Sequence, residues 1–310
     1  MWWSRLSQKE RDAFAKRAAR YRYVIYVFGG TVGSGAFLFY MLHLEETPIT
    51  KRMRLMILNE AQVEHIVKEE RDSYISTFKD ALVPPSSPAY VHVKEVIQRL
   101  LATRVTEDME RIHWKLYLVH CDMFNAFVLP SGEIFVFTGL VSGMKSRDEL
   151  AIILAHEISH ALLNHGAEGL SHHGVTEVIS LAVISAVWAL TQSAYLAMLI
   201  QQMHNSLMTI LFHLPYSRKL EMEADEVGMM IAAKACFDPR AGPALWNRLH
   251  QLQSEEESDG VEYLSTHPAH KTRKNYLEAL LPSAHAVSHA SQCEQLAPEA
   301  AQFKKRFRLI

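Results

Sequence analysis

The first strong hydrophobic pattern in the chain is an uncharged run from Tyr23 to Leu42, which follows a basic segment. Residues 1–22 carry seven Lys or Arg side chains against two acidic ones. A helix rises about 1.5 Å per residue, so a run of this length can cross the hydrocarbon core of a bilayer. We therefore predict a transmembrane helix at residues 23–44, with residues 1–22 on the cytoplasmic or matrix side.

Beyond this run, the spacing of apolar positions predicts a mostly helical domain with one small β-hairpin. Pro48 blocks helix continuation, so residues 45–51 are predicted to form a linker. The predicted helices are 52–82, 89–104, 146–165, 215–235, 238–252 and 270–280, with a strand at 114–119 and a hairpin of 124–129 and 133–137 around Pro130-Ser131-Gly132. The polar residues 283–310 are predicted to be a C-terminal tail, which leaves 45–282 for the folded domain.

The composition sets three limits on the function. With 49% hydrophobic and 21% charged residues, this chain of 310 residues is predicted to fold. Its net charge of −2 gives no reason to expect a nucleic acid partner, and we predict none. Cys121, Cys236 and Cys293 form no CxxC pair, which excludes a cysteine-rich zinc site. We expect all three to be ordinary thiols.

The clearest chemical signal is the HExxH sequence His156-Glu157-Ile158-Ser159-His160. Histidines four residues apart lie one turn apart on the same face of a helix, so both can bind one zinc ion. Glu157 points to one side and can hold a water molecule on the metal. The motif alone is a modest signal. The apolar flanks 150–155 and 161–163 strengthen it, because they predict a buried helix in which ionisable groups need partners.

Catalytic zinc uses three protein ligands and one open position, so a third ligand must be found. The HExxHxxGxxH class is excluded, because the chain has Leu163 and Gly166 where that class has Gly and His. Downstream, Glu221 and Asp225 share one helix face, whereas Glu223 points away from it. We predict Glu221 as the third ligand and Asp225 as the acceptor for the N–H of a ligating histidine.

The segment 265–273 supplies two further candidates, His267 and Arg273. Hydrolysis of a peptide passes through a tetrahedral oxyanion, which a nearby imidazole or guanidinium can stabilise. We list both as candidate catalytic residues. The chemistry alone leaves a purely structural role equally open.

Together, these motifs resemble those of the HtpX and CAAX-protease type of membrane zinc endopeptidase. HEISH is followed by ExxAD at residues 221–225 and by HPxxxxR at 267–273, and residues 125–132 match the NAFxxPxG segment of that family. The resemblance covers residues 112–280 in the family's order. It implies a mostly helical, zincin-type α+β fold with one Zn²⁺ per chain. It also implies metal ligation by His156, His160 and Glu221, with Glu157 as the base.

Several shorter segments are similar to a mitochondrial inner-membrane branch of this family. They are residues 46–50, 135–139, 215–221 and 232–236. The similarity implies a stress-activated, homo-oligomeric endopeptidase of mitochondrial quality control, with its protease domain in the intermembrane space. The implied substrate is the dynamin-like GTPase of inner-membrane fusion. The alternatives are a quality-control protease of a bacterial inner membrane and a catalytically silent scaffold or chaperone.

A second apolar region, residues 178–217, contains no Asp, Glu, Lys or Arg. His160 and Glu221 must meet at one metal ion, so a single membrane crossing between them is excluded. We predict that 178–214 is a membrane-associated helical insertion that dips into or lies on the bilayer, and a full transmembrane hairpin is the alternative. The predicted partners are therefore the lipid bilayer and protein substrates in or near it.

The hairpin at 124–137 is the predicted substrate-binding element. An extended peptide can add to a strand through main-chain hydrogen bonds, a mode that favours unfolded segments. We assign this role to Asn125, Ala126 and Phe127.

Overall fold

The computed structural model describes residues 7–190, 194–254, 263, 267 and 271–293. Most of these residues are helical, and two small sheets complete the fold, which confirms the predicted α+β class. Residues 1–6 and 294–310 lie outside the described residues. The helices are α1 Gln8–Leu42, α2 Glu60–Phe78, α3 Pro88–Leu101, α4 Asp108–Arg111, α5 Thr138–Gly143, α6 Arg147–Leu162, α7 His165–Leu190, α8 Ala194–Met208, α9 Leu214–Lys234, α10 Ala241–Ser254 and α11 Lys271–Ala290. The strands are β1 Leu44–Glu46, β2 Met53–Leu55, β3 Lys115–Val119, β4 Ala126–Val128 and β5 Glu133–Phe137.

The segment that follows α1 is a β-hairpin, so the prediction of a linker at 45–51 was wrong. Strands β1 and β2 are antiparallel, with Leu44 opposite Leu55. Thr47 at the turn is fully buried, and its main-chain N–H donates to the carbonyl oxygen of Arg52. The hairpin is therefore folded against the domain, because a buried turn needs its polar groups paired.

Helix α2 starts later than the predicted residue 52, and the reason is local. The Asn59 side chain accepts a hydrogen bond from the main-chain N–H of Gln62, whose side chain accepts in return from the N–H of Asn59. This capping box satisfies two N–H groups that a helix start leaves free. It fixes the first helical residue at Glu60.

A three-stranded sheet carries the predicted hairpin, and its strand order is β3-β5-β4. β5 lies in the middle, parallel to β3 and antiparallel to β4, and all five of its residues are buried. Gly132 in the turn has φ +99°, and a Cβ there would overlap the Ile112 side chain, so the turn requires glycine. β4 is left at the edge of the sheet and packs beside α6.

Helix α6 runs through the core and contacts α3, α9, α10 and the sheet. Ser146 caps its start by accepting from the N–H of Glu149, and nearly every residue up to Leu162 is buried. The helix ends at Leu162, and Asn164 just beyond it adopts φ 53°, a conformation that asparagine tolerates better than most residues. The predicted end at residue 165 was therefore too late, because His165 already belongs to α7.

The apolar region after α6 forms a pair of helices, α7 and α8, that contact each other and return the chain to α9 through a π-helical turn at Thr209–His213. The pair begins at His165 rather than at the predicted residue 178. Within the part of the chain that the structure describes, two segments, Tyr21–Leu42 and His165–Ala189, are long and apolar enough to cross a membrane. Large apolar side chains of α7 and α8 are exposed, among them Val178, Leu181, Tyr195, Met198 and Met203.

The C-terminal boundary predicted at residue 282 falls inside α11. Pro282 is accommodated within this helix, which continues to Ala290. Ala284 is fully buried, and the Ser288 hydroxyl donates to the carbonyl oxygen of Ala233 on α9. Cys236 and Cys293 form a disulfide, so the expectation of ordinary thiols was wrong for these two and holds for Cys121. Packing beyond Pro282 thus extends the domain past the predicted end.

The close approach of α6 and α9 at Gly228 can be tested by substitution. A Cβ on Gly228 would lie 2.9 Å from both Cα and N of His156, which are backbone atoms that cannot rotate away. We expect Gly228→Ala to lower the free energy of unfolding by about 1–3 kcal/mol, the usual effect of overpacking. The measurement is denaturant unfolding of the detergent-solubilised chain.

The matched control is Gly169→Ala in α7, where an added Cβ would meet nothing within 4 Å. It should leave stability unchanged or raise it by up to about 1 kcal/mol, since alanine is the better helix former. Equal destabilisation by both variants would show that the close crossing at Gly228 is not the cause.

Candidate metal centre

Helices α6 and α9 bring the three predicted metal ligands together. Nε2 of His160 lies 3.1 Å from Nε2 of His156 and 3.5 Å from Oε1 of Glu221. Nε2 of His156 lies 3.4 Å from Oε2 of Glu221. His156 and Glu221 are almost completely buried. Two imidazole nitrogens and a carboxylate thus converge on one point within the core.

The spacing of these atoms fits a single metal ion. Two atoms that each lie about 2.0–2.2 Å from one tetrahedral ion are about 3.4 Å apart. The pairs among His156, His160 and Glu221 lie 3.1–3.5 Å apart, close to that value. When Nδ1 of each histidine carries the proton, the two Nε2 atoms face each other with lone pairs. A cation between them stabilises this arrangement. The donor set therefore suits a divalent metal ion.

Asp225 contacts the far side of the first histidine. Its Oδ1 lies 3.1 Å from Nδ1 of His156, and both side chains are buried. A carboxylate at this position holds the proton on Nδ1 and leaves Nε2 free to bind the metal. The sequence placed Asp225 in this role from its position one turn after Glu221.

Arg273, a candidate for stabilising the oxyanion, lies beside the cluster, and its Nη2 is 3.5 Å from Nε2 of His156. Its guanidinium is 3% exposed, and Nε and Nη2 each lie 2.7 Å from an oxygen of Asp225. Nη1 lies 2.7 Å from Oε2 of Glu221, and the group stacks 3.6 Å above the Trp246 ring. A buried charge needs partners of this kind. Arg273 therefore holds the two carboxylates of α9, and its role in stabilising an oxyanion stays a prediction.

The contacts of Glu221 keep its carboxylate charged. Burial alone would raise the pKa of Glu221, but the charge of His267, hydrogen bonds from His156 and His267 and the charge of Arg273 outweigh it. The pKa of Glu221 therefore lies well below its usual range. A charged carboxylate is the form that binds a metal ion.

His267 lies in the cluster itself. Its Nδ1 is 3.0 Å from both oxygens of Glu221 and 3.3 Å from Nε2 of His156. The ligand atoms of His156, His160, Glu221 and His267 all lie within 4.8 Å of one another. The His267 imidazole therefore lies where a catalytic zinc site leaves its fourth position open for water or substrate.

Glu157 borders the same space. It is 3% exposed, and its Oε1 lies 3.5 Å from Nε2 of His267. The buried Tyr263 ring stacks on His267 with centroids 4.7 Å apart. Burial and the neighbouring charge of Glu157 raise the pKa of Tyr263 well above its usual value, so its hydroxyl stays protonated beside that carboxylate.

The three predicted substrate-binding residues lie at the edge strand. Ala126 is buried, and the Phe127 ring stacks on Phe135 in the sheet, with centroids 4.9 Å apart. The Asn125 side chain accepts a hydrogen bond from the main-chain N–H of Ala126. These side chains are thus engaged within the domain, and only the main chain of β4 is suited to pair with an extended peptide.

Sequence reasoning missed several residues around the cluster. Tyr263 and Trp246 carry no motif and approach the site only because α10 and α11 pack against α9 and α6. His165 did carry a signal, since it follows His160 by five residues at the start of the next helix. Its Nδ1 lies 3.0 Å from Nδ1 of His160.

The choice between the two glutamates of α9 can be tested by metal content. Glu221→Gln should lose the bound metal, because it removes a charged ligand from the cluster. Glu223→Gln should keep one ion per chain, since Glu223 contacts His165 and Arg52 and not the three ligand atoms, and a glutamine oxygen can still accept the N–H of His165. Elemental analysis after dialysis against trace Zn²⁺ measures both, and the reverse pattern would overturn the assignment.

Comparison with known proteins agrees with this site. The family model described as peptidase family M48 matches residues 90–281. The mitochondrial metalloendopeptidase OMA1 of Danio rerio is 37% identical over 298 residues, which are 95% of this chain and 62% of that protein. OMA1 of Homo sapiens is 32% identical over 297 residues, which are 95% of this chain and 57% of that protein. OMA1 of Schizosaccharomyces pombe is 32% identical over 271 residues, 86% of this chain and 75% of that protein.

The chain spans about three fifths of the length of the two vertebrate relatives. The matched region contains the HExxH helix α6, the third carboxylate on α9 and the segment of His267 and Arg273. The family resemblance inferred from the four sequence motifs is thereby confirmed. The chain belongs to peptidase family M48.

Proposed function

We propose that the protein is a zinc-dependent endopeptidase of the mitochondrial inner membrane. The observation that carries this proposal is the convergence of His156, His160 and Glu221, with their ligand atoms 3.1–3.5 Å apart, beside the carboxylate of Glu157. Two imidazoles and one carboxylate are a common ligand set of catalytic zinc. The similarity to mitochondrial OMA1 proteins supports the location.

Each side chain of the cluster has a separate role in the reaction. When bound, zinc lowers the pKa of a water molecule towards neutrality and polarises the scissile carbonyl. Glu157 takes a proton from the attacking water molecule while the oxygen of that water bonds to the carbonyl carbon. Glu157 then delivers that proton to the amide nitrogen as the C–N bond breaks. Asp225 and Arg273 keep His156 and Glu221 in place throughout.

The substrate that this site favours is an extended polypeptide. Strand β4 is an edge strand beside α6, so main-chain groups of residues 125–127 can pair with a peptide that runs past the metal. His267 must leave its position next to Glu221 for such a peptide to reach the metal. A folded protein surface does not present a free strand, so the enzyme acts on unfolded or flexible segments.

The apolar helix pair places this site near a bilayer. Large apolar side chains of α7 and α8 are exposed, including Leu181 (67%) and Tyr195 (73%), and such a surface is unfavourable in water. Helix α7 starts close to the ligand His160, and α8 leads through the π-helical turn into the helix of Glu221. We propose that residues 178–214 enter or lie on the membrane, and that Tyr23–Leu42 within α1 spans it.

The location and substrates follow from this arrangement. The basic residues 1–22 stay in the matrix, which puts the protease domain in the intermembrane space. The substrates are membrane-proximal segments of inner-membrane proteins, among them the dynamin-like fusion GTPase that the family resemblance implies. Homo-oligomerisation and activation under stress belong to the same proposal.

The catalytic assignment is tested by Glu157→Gln. This variant should keep one zinc ion per chain and lose cleavage of candidate inner-membrane substrates, because the amide cannot accept the water proton. Sequencing of the cleavage products from the unaltered protein, in parallel with the variant, gives the readout. Cleavage that survives the change would refute the mechanism, and absence of cleavage by both would favour a silent scaffold.

The membrane assignment is tested by labelling of single introduced cysteines in liposomes. Met198→Cys on α8 should be protected from a membrane-impermeant maleimide, because its side chain faces lipid. Glu69→Cys on α2, whose native side chain is also well exposed in the fold, should label fully from the outside. Detergent should make both positions reactive. Equal labelling of the two in intact liposomes would contradict a membrane-embedded insertion.

A further inference from the structure

The hairpin that follows α1 extends a partly buried guanidinium, that of Arg52, into the protease domain. Arg52 donates to both oxygens of Glu168 on α7, at 2.7 and 2.8 Å. It also donates through Nε to Oε2 of Glu223 on α9 at 2.7 Å. Glu168 is fully buried and Glu223 is 7% exposed. One side chain of the hairpin thus connects α7, the first helix of the apolar pair, to α9, the helix that follows the pair.

A second arginine of the hairpin reaches the end of the HExxH helix. Arg54 is 6% exposed, and its Nη1 donates to the main-chain oxygen of Leu163, three residues after His160. Its other contacts are Glu45 at 2.8 Å and Glu168 at 3.7 Å. The two arginines therefore place the hairpin, residues 44–55, directly behind the metal cluster.

Glu223 connects Arg52 to a histidine. Its Oε2 lies 3.2 Å from Nε2 of His165, and Thr50 of the hairpin donates to its other oxygen. The Glu223 carboxylate can therefore accept the N–H of His165 as well as the hydrogen bonds from the hairpin.

His165 ends the chain of contacts at a metal ligand. Its Nδ1 lies 3.0 Å from Nδ1 of His160, whose Nε2 faces His156 and Glu221. A histidine that binds a metal through Nε2 carries its proton on Nδ1 and needs an acceptor there. His165 supplies that acceptor when its own proton is on Nε2, where Glu223 receives it. The hydrogen bonds therefore run in one direction from the ligand to Glu223, which also accepts from Arg52.

We infer that His165, Glu223 and Arg52 are positioning residues for the metal ligand His160, so that the hairpin at residues 44–55 is an outer part of the metal centre. The inference rests on the proposed metal-binding function. Asp225 and Arg273 serve His156 and Glu221, and this second network serves His160.

The test is the zinc affinity of the full-length chain in detergent, measured by competition with a chromophoric chelator. His165→Phe removes the acceptor while it keeps an aromatic ring, and it should weaken zinc binding about 10–100-fold, the usual effect of losing such a partner. His165→Gln should restore most of the affinity, because its amide can accept from His160 and donate to Glu223. Arg52→Gln should weaken zinc binding about tenfold.

The matched control is Arg248→Gln. Arg248 is 20% exposed and contacts Glu149 at 2.6 Å at the start of α6, whereas Arg52 is 16% exposed and contacts Glu223 at the same distance. Loss of either arginine should lower the melting temperature similarly, but Arg248→Gln should leave zinc affinity unchanged. The absorption spectrum of the Co²⁺-loaded protein gives a second readout, since it reports ligand geometry and should change for Arg52→Gln alone.

The results separate the possible failures. Zinc affinity and Co²⁺ spectra of Arg52→Gln and His165→Phe that match the unaltered protein would overturn the inference and leave the network a merely structural one. Equal weakening by Arg248→Gln would overturn it too, because any loss of stability would then explain the effect. An unaltered protein that binds no zinc would refute the proposed function itself.

Discussion

At Gly228 the helices α6 and α9 approach so closely that a methyl group would meet the backbone of His156. This crossing is what allows the ligand atoms of His156, His160 and Glu221 to converge, because side chains of this length reach one point only from adjacent helices. The crossing also buries the ligands, and burial makes each of their remaining polar atoms a group that needs a partner. Charged side chains around the metal centre are placed next to these polar atoms.

Two separate networks of charged side chains surround the two histidines. Nδ1 of His156 faces Asp225. Arg273, which stacks on the Trp246 ring, contacts Asp225 in turn. Nδ1 of His160 faces His165 and, through Glu223, the hairpin arginine Arg52. Each network ends in a guanidinium that balances the negative charge of carboxylates in the core. One network comes from the C-terminal helix α11, and the other comes from the segment beside the candidate membrane span.

The topology follows from the same requirement. An apolar pair of helices stands between the two ligand-bearing helices, yet His160 and Glu221 lie on one side of it. Glu168 near the start of α7 contacts both Arg52 and Tyr216 near the start of α9, so polar bonds close the base of the pair. The exposed apolar surface begins beyond this base. A polar base with an apolar extension is the arrangement that a membrane-proximal protease needs to act next to the lipid surface.

The sequence by itself determined the elements with short-range signals. HExxH, the ExxAD spacing and the hairpin turn at Gly132 depend on helix and strand periodicity, so they could be placed from residue spacing alone. Only the tertiary structure decided the rest. Arg273 proved to orient Glu221 and Asp225, Cys236 met Cys293, and the predicted linker became the hairpin of Arg52. Each of these depends on contacts between segments that are far apart in the chain, and local patterns contain no information about which buried charge will face which.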